Sequence, residues 1–265
     1  MFEVHNGVGA ALSQPDLQDI IDGLLARNED LPHAVAGLRE DMLTPAALAS
    51  DLDTLQAWLD VQGIAAEGMD QRTRAAYLIG GIAFSVCTWL AVLELTDSPR
   101  MRRVGMRLER YWWHGEESSH EYVRFPLCIE AEPGPADYRT MLEECFAPLI
   151  AAIMVTSGLS AGAQWRLVSD SVAQGFLYVG SELGMAEKAM EIANGIIAEG
   201  RMHNGKTCFV EIPFSRSRHW FVSRGGCCRY YTTTGGEYCS SCVLRKRDDQ
   251  VRRYRDYYES VQAAE

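Results

Sequence analysis

Positive charge is scarce over most of this sequence. It has 25 Lys and Arg against 36 Asp and Glu, a net charge of -11. Ten of those cations fall between residues 216 and 255: Arg216, Arg218, Arg224, Arg229, Arg245, Lys246, Arg247, Arg252, Arg253 and Arg255. With Glu237, Asp248 and Asp249 as its only acids, that window carries +7 on a remainder of -18. So acidic a body repels a long polyanion, which argues against nucleic acid as a partner. The basic end favours a small anion or an acidic protein.

Internal repeats, low-complexity tracts and obvious linkers are also lacking, which excludes solenoids and beads on a string. The opening stretch "MFEVHNGVGAALSQPDLQ" has an acid at Glu3, no basic start and no sustained apolar run. The expectation is therefore a protein without an export signal, in a reducing compartment. Uncharged runs are rare as well. The longest, Ala75 to Leu93, has 19 residues and is long enough for a membrane span. Two glycines, four alanines, Ser85, Cys87 and Thr88 dilute it, and Arg72, Arg74 and Glu94 flank it closely. It reads as a helix buried in a protein core, with no transmembrane segment.

The N-terminal half reads as helices: a short one near Pro15 to Ala26, then one started by Thr44 and Pro45 that carries Leu48, Leu52, Leu55 and Leu59 on one face until Gly63. The uncharged helix near Asp70 to Leu95 follows. Val104, Met106 and Leu108 alternate with polar residues and "EYVRFPLCIEAEP" is strand-like, which predicts a small antiparallel sheet. Helices are expected over roughly 136–157, 161–182 and 186–199. "TCFVEIPF" and "RHWFVSR" look like strands, and "RKRDDQVRRYRDYYESVQ" like a final helix. The fold class is α+β, mainly helical with a small antiparallel sheet and a C-terminal cysteine-rich hairpin. A body at 1–215 and a C-terminal segment at 216–265 would pack as one structural unit.

Three motifs fail on context. "GRMHNGKT", Gly200 to Thr207, matches the phosphate-loop string, but a helix leads in and a strand leads out, the reverse of what phosphate binding at a helix N-terminus requires. "HNGVGAAL" lacks the third glycine of a dinucleotide site. "HGEESSHE", with His114, Glu116, Glu117, His120 and Glu121, has no zinc-protease spacing and reads as a solvated loop. No acid and base pair stands out.

Cysteine is concentrated. Of the eight, Cys87, Cys128, Cys145 and Cys208 sit singly in apolar surroundings and read as buried small hydrophobes. Cys227, Cys228, Cys239 and Cys242 fall within sixteen positions. Clustered thiols in a reducing compartment are metal ligands or redox groups more often than disulfides. Cys239 and Cys242 form a CxxC chelate. Adjacent Cys227 and Cys228 point to opposite faces of an extended chain, so the backbone must bend, and Gly225 and Gly226 permit the bend. A two-residue Gly235-Gly236 hairpin would set Thr234 opposite Glu237 and Arg229 opposite Cys242. Such a set suits a 2Fe-2S cluster or a structural zinc ion, and disulfide or redox chemistry stays open.

The spacing CCx10CxxC, with its flanks "RGGCCRYY" and "GGEYCSSCVLR", resembles the FhuF-type ferric-siderophore reductases. The match is complete at the four cysteines, and upstream it extends only to length, helical content and a mixed helix and strand order. The resemblance implies a 2Fe-2S cluster held by Cys227, Cys228, Cys239 and Cys242, and a cytoplasmic reductase acting on ferric iron in hydroxamate-type or related siderophores. A peripheral position at the inner face of the membrane is the second location expected. A ferredoxin or a flavin/NAD(P)H-dependent reductase would be the electron donor. Arg216, Arg218, Trp220, Arg224 and Arg229 are the expected walls of the substrate seat, and basic residues near the cluster should raise its potential. A zinc-knuckle scaffold, or a 2Fe-2S carrier or redox sensor without reductase activity, are the alternatives.

Overall fold

A computed structural model describes residues 14–26, 28, 31–114, 119–134, 137–214 and 218–264. In chain order these form α1 (Gln14–Leu25), β1 (Ala34–Ala36), α2 (Pro45–Ser50), α3 (Leu52–Val61), α4 (Gln71–Leu95), β2 (Arg100–Met106), β3 (Glu109–His114), β4 (Ser119–Arg124) and β5 (Leu127–Glu132). Then come α5 (Tyr138–Ser157), α6 (Ala161–Glu182), α7 (Ala186–Ile197), β6 (Cys208–Pro213), β7 (Arg218–Ser223) and α8 (Arg247–Ala264). The fold is mainly helical, with small sheets.

The centre is α4 against α6. Asp70 caps α4 by accepting the Thr73 backbone N–H at 2.7 Å, and the helix then runs 25 residues without a kink-forming proline. Its side chains are buried on every face: 78 % of its most apolar window lies inside the protein, so this long apolar helix is a core helix here. α5 is also long and apolar enough to cross a membrane, and 28 % of its window is buried. Gly175 brings α6 against α4: a Cβ there would lie 2.8 Å from the Thr88 backbone nitrogen and 2.9 Å from the Cys87 carbonyl carbon.

The expected helix from Thr44 to Gly63 is divided. Thr44 caps α2, and Asp51 then starts α3 by accepting the Thr54 backbone N–H at 3.0 Å. The break rotates Leu52 off the apolar face: Leu48, Leu55 and Leu59 are buried, while Leu52 is 54 % exposed.

Among the described residues the strands form three small sheets, and the antiparallel sheet expected around Val104 to Pro133 is divided between two of them. β2 and β5 pair antiparallel, and the short β1 joins β5 in parallel, which no periodicity in three residues could announce. β3 pairs with β4, and β6 with β7, both antiparallel. His120 and Glu121 therefore belong to β4 and not to a loop, and Glu121 is held by both Arg110 Nε and Nη2. Glu116, Glu117 and the "HNGVGAAL" stretch lie outside the described residues.

Of the four single cysteines, Cys87 and Cys128 are fully buried and Cys145 packs, half-buried, on the core. Cys208 departs from expectation: it is half-buried at the start of β6, and its sulfur accepts a hydrogen bond from Arg247 Nη2 at 3.2 Å. α8 packs on the β6–β7 pair through Tyr254 stacked on Phe221 and Tyr258 on His219, with ring centroids 4.2 and 4.3 Å apart.

Candidate iron–sulfur centre

The segment after β7 is a chain of turns fastened to the helical body. Gly225 and Gly226 donate their backbone N–H groups to the two carboxylate oxygens of Asp170, on α6, at 2.8 and 2.9 Å. Glycine is needed there, because a Cβ on Gly226 would meet Leu167 and Asp170 at 3.0 Å. Asp170 also accepts the Thr207 hydroxyl at 2.6 Å, and Asn204 Oδ1 accepts the backbone N–H groups of Lys206 and Thr207. The phosphate-loop string is thus a turn bracing the cysteine segment, which accounts for its asparagine and threonine without a nucleotide.

The chain then reverses at Arg229, whose φ of 62° is left-handed. Its guanidinium donates to Asp70 Oδ2 at 2.7 Å and to Thr73 Oγ1 at 3.3 Å, tying the turn to the start of α4. A single 3-10 turn over Tyr230–Thr232 follows, and no strand forms among the described residues between 224 and 246. The expected ladder pairing Thr234 with Glu237 and Arg229 with Cys242 is therefore absent. The physical reason is that the backbone donors go elsewhere: Thr234 N–H bonds to Glu67 O at 2.9 Å, and Gly236 N–H to Thr233 O at 3.1 Å. Gly236 packs so closely that a Cβ would lie 2.1 Å from the Tyr230 carbonyl oxygen.

These turns bring two of the cysteines together. Cys228 Sγ and Cys239 Sγ are 3.2 Å apart. Cys227 Sγ accepts the Arg229 backbone N–H at 3.4 Å, and Cys242 is 2 % exposed. The CxxC turn is closed by Cys242 N–H on Cys239 O at 3.1 Å. Arg245 Nε donates to Cys239 O at 2.9 Å and Gln250 to Cys242 O at 2.8 Å, so the start of α8 holds the second pair in place. Among the described residues no three His, Cys, Asp or Glu side chains group as they would round one metal ion. Two sulfide-bridged irons take four thiolates, two each, and a structural zinc ion also takes four.

Arg224 lies over this set, with Nη2 3.8 Å from Cys228 Sγ. Burial works against its charge, but the fields of Cys228, Cys239 and Asp170 outweigh it and raise its pKa. Burial also pushes the Asp170 carboxyl up to about 6, against the pull of Thr207, the two glycine amides and Arg224.

Cys228, Cys239 and Arg224 form part of the wall of a cavity of about 610 Å3. Tyr77, Tyr122, Phe125, Gln174 and Tyr230 supply much of the rest. Of the five residues expected to wall a substrate seat, Arg224 alone lines this cavity among the described residues. Arg229 is engaged with Asp70, and exposed Arg218 sits 3.3 Å from Glu211 and 3.9 Å from Glu187. Trp220 packs on the small cluster of Ala173, Leu177, Met190 and Val222. Arg216 lies outside the described residues. The aromatic and amide wall contributed by α4, α6 and β4 escaped the sequence reading, because those residues are distant in the chain and looked like ordinary core.

The Cys228–Cys239 pair beside Arg224 fits an iron–sulfur site, and the cofactor that the family match below indicates is a 2Fe-2S cluster. Residues 224–244 match the family described as FhuF 2Fe-2S C-terminal domain, so the resemblance is carried by the cysteine segment. No curated protein matches the chain.

Proposed function

We propose that this protein is a cytoplasmic ferric-siderophore reductase, and the observation that carries the reading is the cavity of about 610 Å3 with Cys228 and Cys239 in its wall. The four cysteines Cys227, Cys228, Cys239 and Cys242 would hold the 2Fe-2S cluster, which supplies one electron at a time when bound. A pocket of that volume with aromatic sides is suited to an organic chelate. The charged residues among its lining, Arg224 and Asp170, act on each other, so the seat favours a ferric complex of low net charge, such as a tris-hydroxamate. Tyr77, Tyr122 and Phe125 would pack on the chelate arms, and Gln174 would orient them with its amide.

Reduction of the substrate iron is itself the release step. Iron(III) is held by hard oxygen donors, and iron(II), softer and less charged, is held far less well. No proton transfer at the iron is required. The electron would come from a ferredoxin or a flavin-dependent reductase, steered by the basic surface that includes Lys246, Arg247, Arg252 and Arg255.

The test is anaerobic purification with iron and sulfide counts, then iron(II) trapping from a ferric tris-hydroxamate in the presence of a reducing system. The expected result is two irons and two sulfides per chain and release that saturates with chelate. Gln174→Trp, which fills the cavity, should raise KM severalfold and leave the visible spectrum intact. A coloured protein that does not speed iron(II) release would be an electron carrier or sensor; a colourless zinc protein would remove the redox reading altogether.

A further inference from the structure

The four sulfurs differ in their surroundings. Cys228 and Cys239 lie 3.2 Å apart and both face the cavity, with Arg224 beside them. Arg224 Nη2 is 3.8 Å from Cys228 Sγ, and its Nε is buried without a hydrogen-bond partner. Cys227 is served by a neutral backbone amide at 3.4 Å, and Cys242 is buried away from the cavity lining. Two thiolates on one tetrahedral iron stand roughly 3.7 Å apart, given bonds of about 2.3 Å. Thiolates on different irons are separated further by the sulfide bridge.

We propose that Cys228 and Cys239 share one iron and Cys227 and Cys242 the other, and that Arg224 is the positioning residue that sets the added electron on the Cys228/Cys239 iron, beside the cavity. The inference rests on the cluster ligands assigned above and not on the siderophore as substrate.

The argument is electrostatic. With four thiolates, two sulfides and two iron(III) ions, the oxidised group is formally a dianion and the reduced one a trianion. One electron from an external reductant turns one iron(III) into iron(II), no bond breaks and no proton is needed. A cation fixed at one end stabilises the extra negative charge most at that end. Arg224 is held there by its backbone, which follows β7 and donates its N–H to Ser241 O at 3.4 Å. Its charge is tolerated in a largely buried position because the thiolates compensate it. The electron would then rest on the iron nearest the substrate seat, shortening its onward path.

The experiment is a redox titration of anaerobic holoprotein with dithionite, followed by visible absorption and electron paramagnetic resonance. Arg224→Gln should shift the reduction equilibrium tenfold or more against the electron, about 59 mV lower for a one-electron couple. Arg224→Lys, which keeps the charge, should recover most of that shift. A serine oxygen is a harder donor than a thiolate and favours iron(III). Cys228→Ser and Cys239→Ser should therefore lower the potential more than Cys227→Ser and Cys242→Ser. An unchanged potential in a fully loaded Arg224→Gln protein would overturn the role of Arg224. The reverse order among the serine variants would overturn the pairing, even if Arg224→Gln fails to assemble its cluster. A wild-type chain with no 2Fe-2S spectrum would sink the ligand assignment itself, which is a different failure.

Discussion

Asp170, midway along α6, accepts the backbone N–H of Gly226 at 2.9 Å, so a buried carboxylate of the core holds the bend that precedes the adjacent cysteines. It also takes the Gly225 amide and the Thr207 hydroxyl while being 2 % exposed. Removing it would strand the two buried glycine amides that it accepts. Asp170→Ala should cost about 3 kcal/mol of stability, as expected for buried donors left unpaired, and lower cluster content. Denaturant melts and absorbance per chain measure both.

The same residue makes stability depend on pH in an uncommon direction. Burial raises its pKa from 3.8 to about 6, so the folded protein binds a proton more tightly than the unfolded chain. Its contribution is fully present below the unfolded value and is lost as pH rises through about 6. Asp170→Asn cannot titrate. The stability of wild type relative to Asp170→Asn should increase as pH is lowered from about 6 towards 4, by about 3 kcal/mol at most. A difference independent of pH in urea melts would exclude the raised pKa.

Gly175 tests the α4–α6 contact. A methyl group there would press on the Thr88 nitrogen and the Cys87 carbonyl, all backbone that cannot rotate away. Gly175→Ala should destabilise by about 2–3 kcal/mol through overpacking, roughly 4–12 °C in Tm, although alanine is the better helix former. Gly162→Ala, on the same helix with open space around its Cβ, should be neutral or stabilising.

Much of this was legible from local signals. Thr44, Asp70 and the uncharged run announced α2 and α4, and the helix expected over 161–182 is α6. CCx10CxxC carried the cofactor. The turns between the cysteines were not legible as drawn, because Gly235-Gly236 is a hairpin signal only if the flanking backbone has a cross-strand partner, and Thr234 bonds to Glu67 of the body instead. The substrate wall was hidden for a similar reason. Arginines adjacent in sequence to the cysteines looked like neighbours in space, yet Tyr77 and Gln174 line the cavity while Arg229 turns to Asp70.

The turn at 200–207 yields an opposed pair of outcomes. Thr207 gives its hydroxyl to Asp170 at 2.6 Å, whereas the side chain of Lys206 is not needed for the brace, which uses only its backbone N–H. Lys206→Ala should leave cluster content and iron(II) release within about twofold of wild type, with no nucleotide effect. Thr207→Val, nearly the same shape without the hydroxyl, should cost about 1–2 kcal/mol and loosen the cysteine segment. Loss of function in Lys206→Ala with Thr207→Val intact would restore the phosphate-loop reading.

Arg229 combines a strained backbone with a useful side chain, and substitution can separate the two. Its φ of 62° costs a non-glycine residue about 1–2 kcal/mol, and its guanidinium holds Asp70 and Thr73 at the start of α4. Arg229→Ala loses the tie and keeps the strain; Arg229→Gly loses the tie and relieves the strain. Glycine is ordinarily the worse replacement because it frees the unfolded chain. Here the order should invert, with Arg229→Gly more stable than Arg229→Ala by about 1 kcal/mol in denaturant melts and retaining more visible absorbance per chain. Equal losses would mean that the left-handed turn after Cys228 carries no strain. A far smaller loss for alanine than for glycine would mean that the chain does not reverse at this residue.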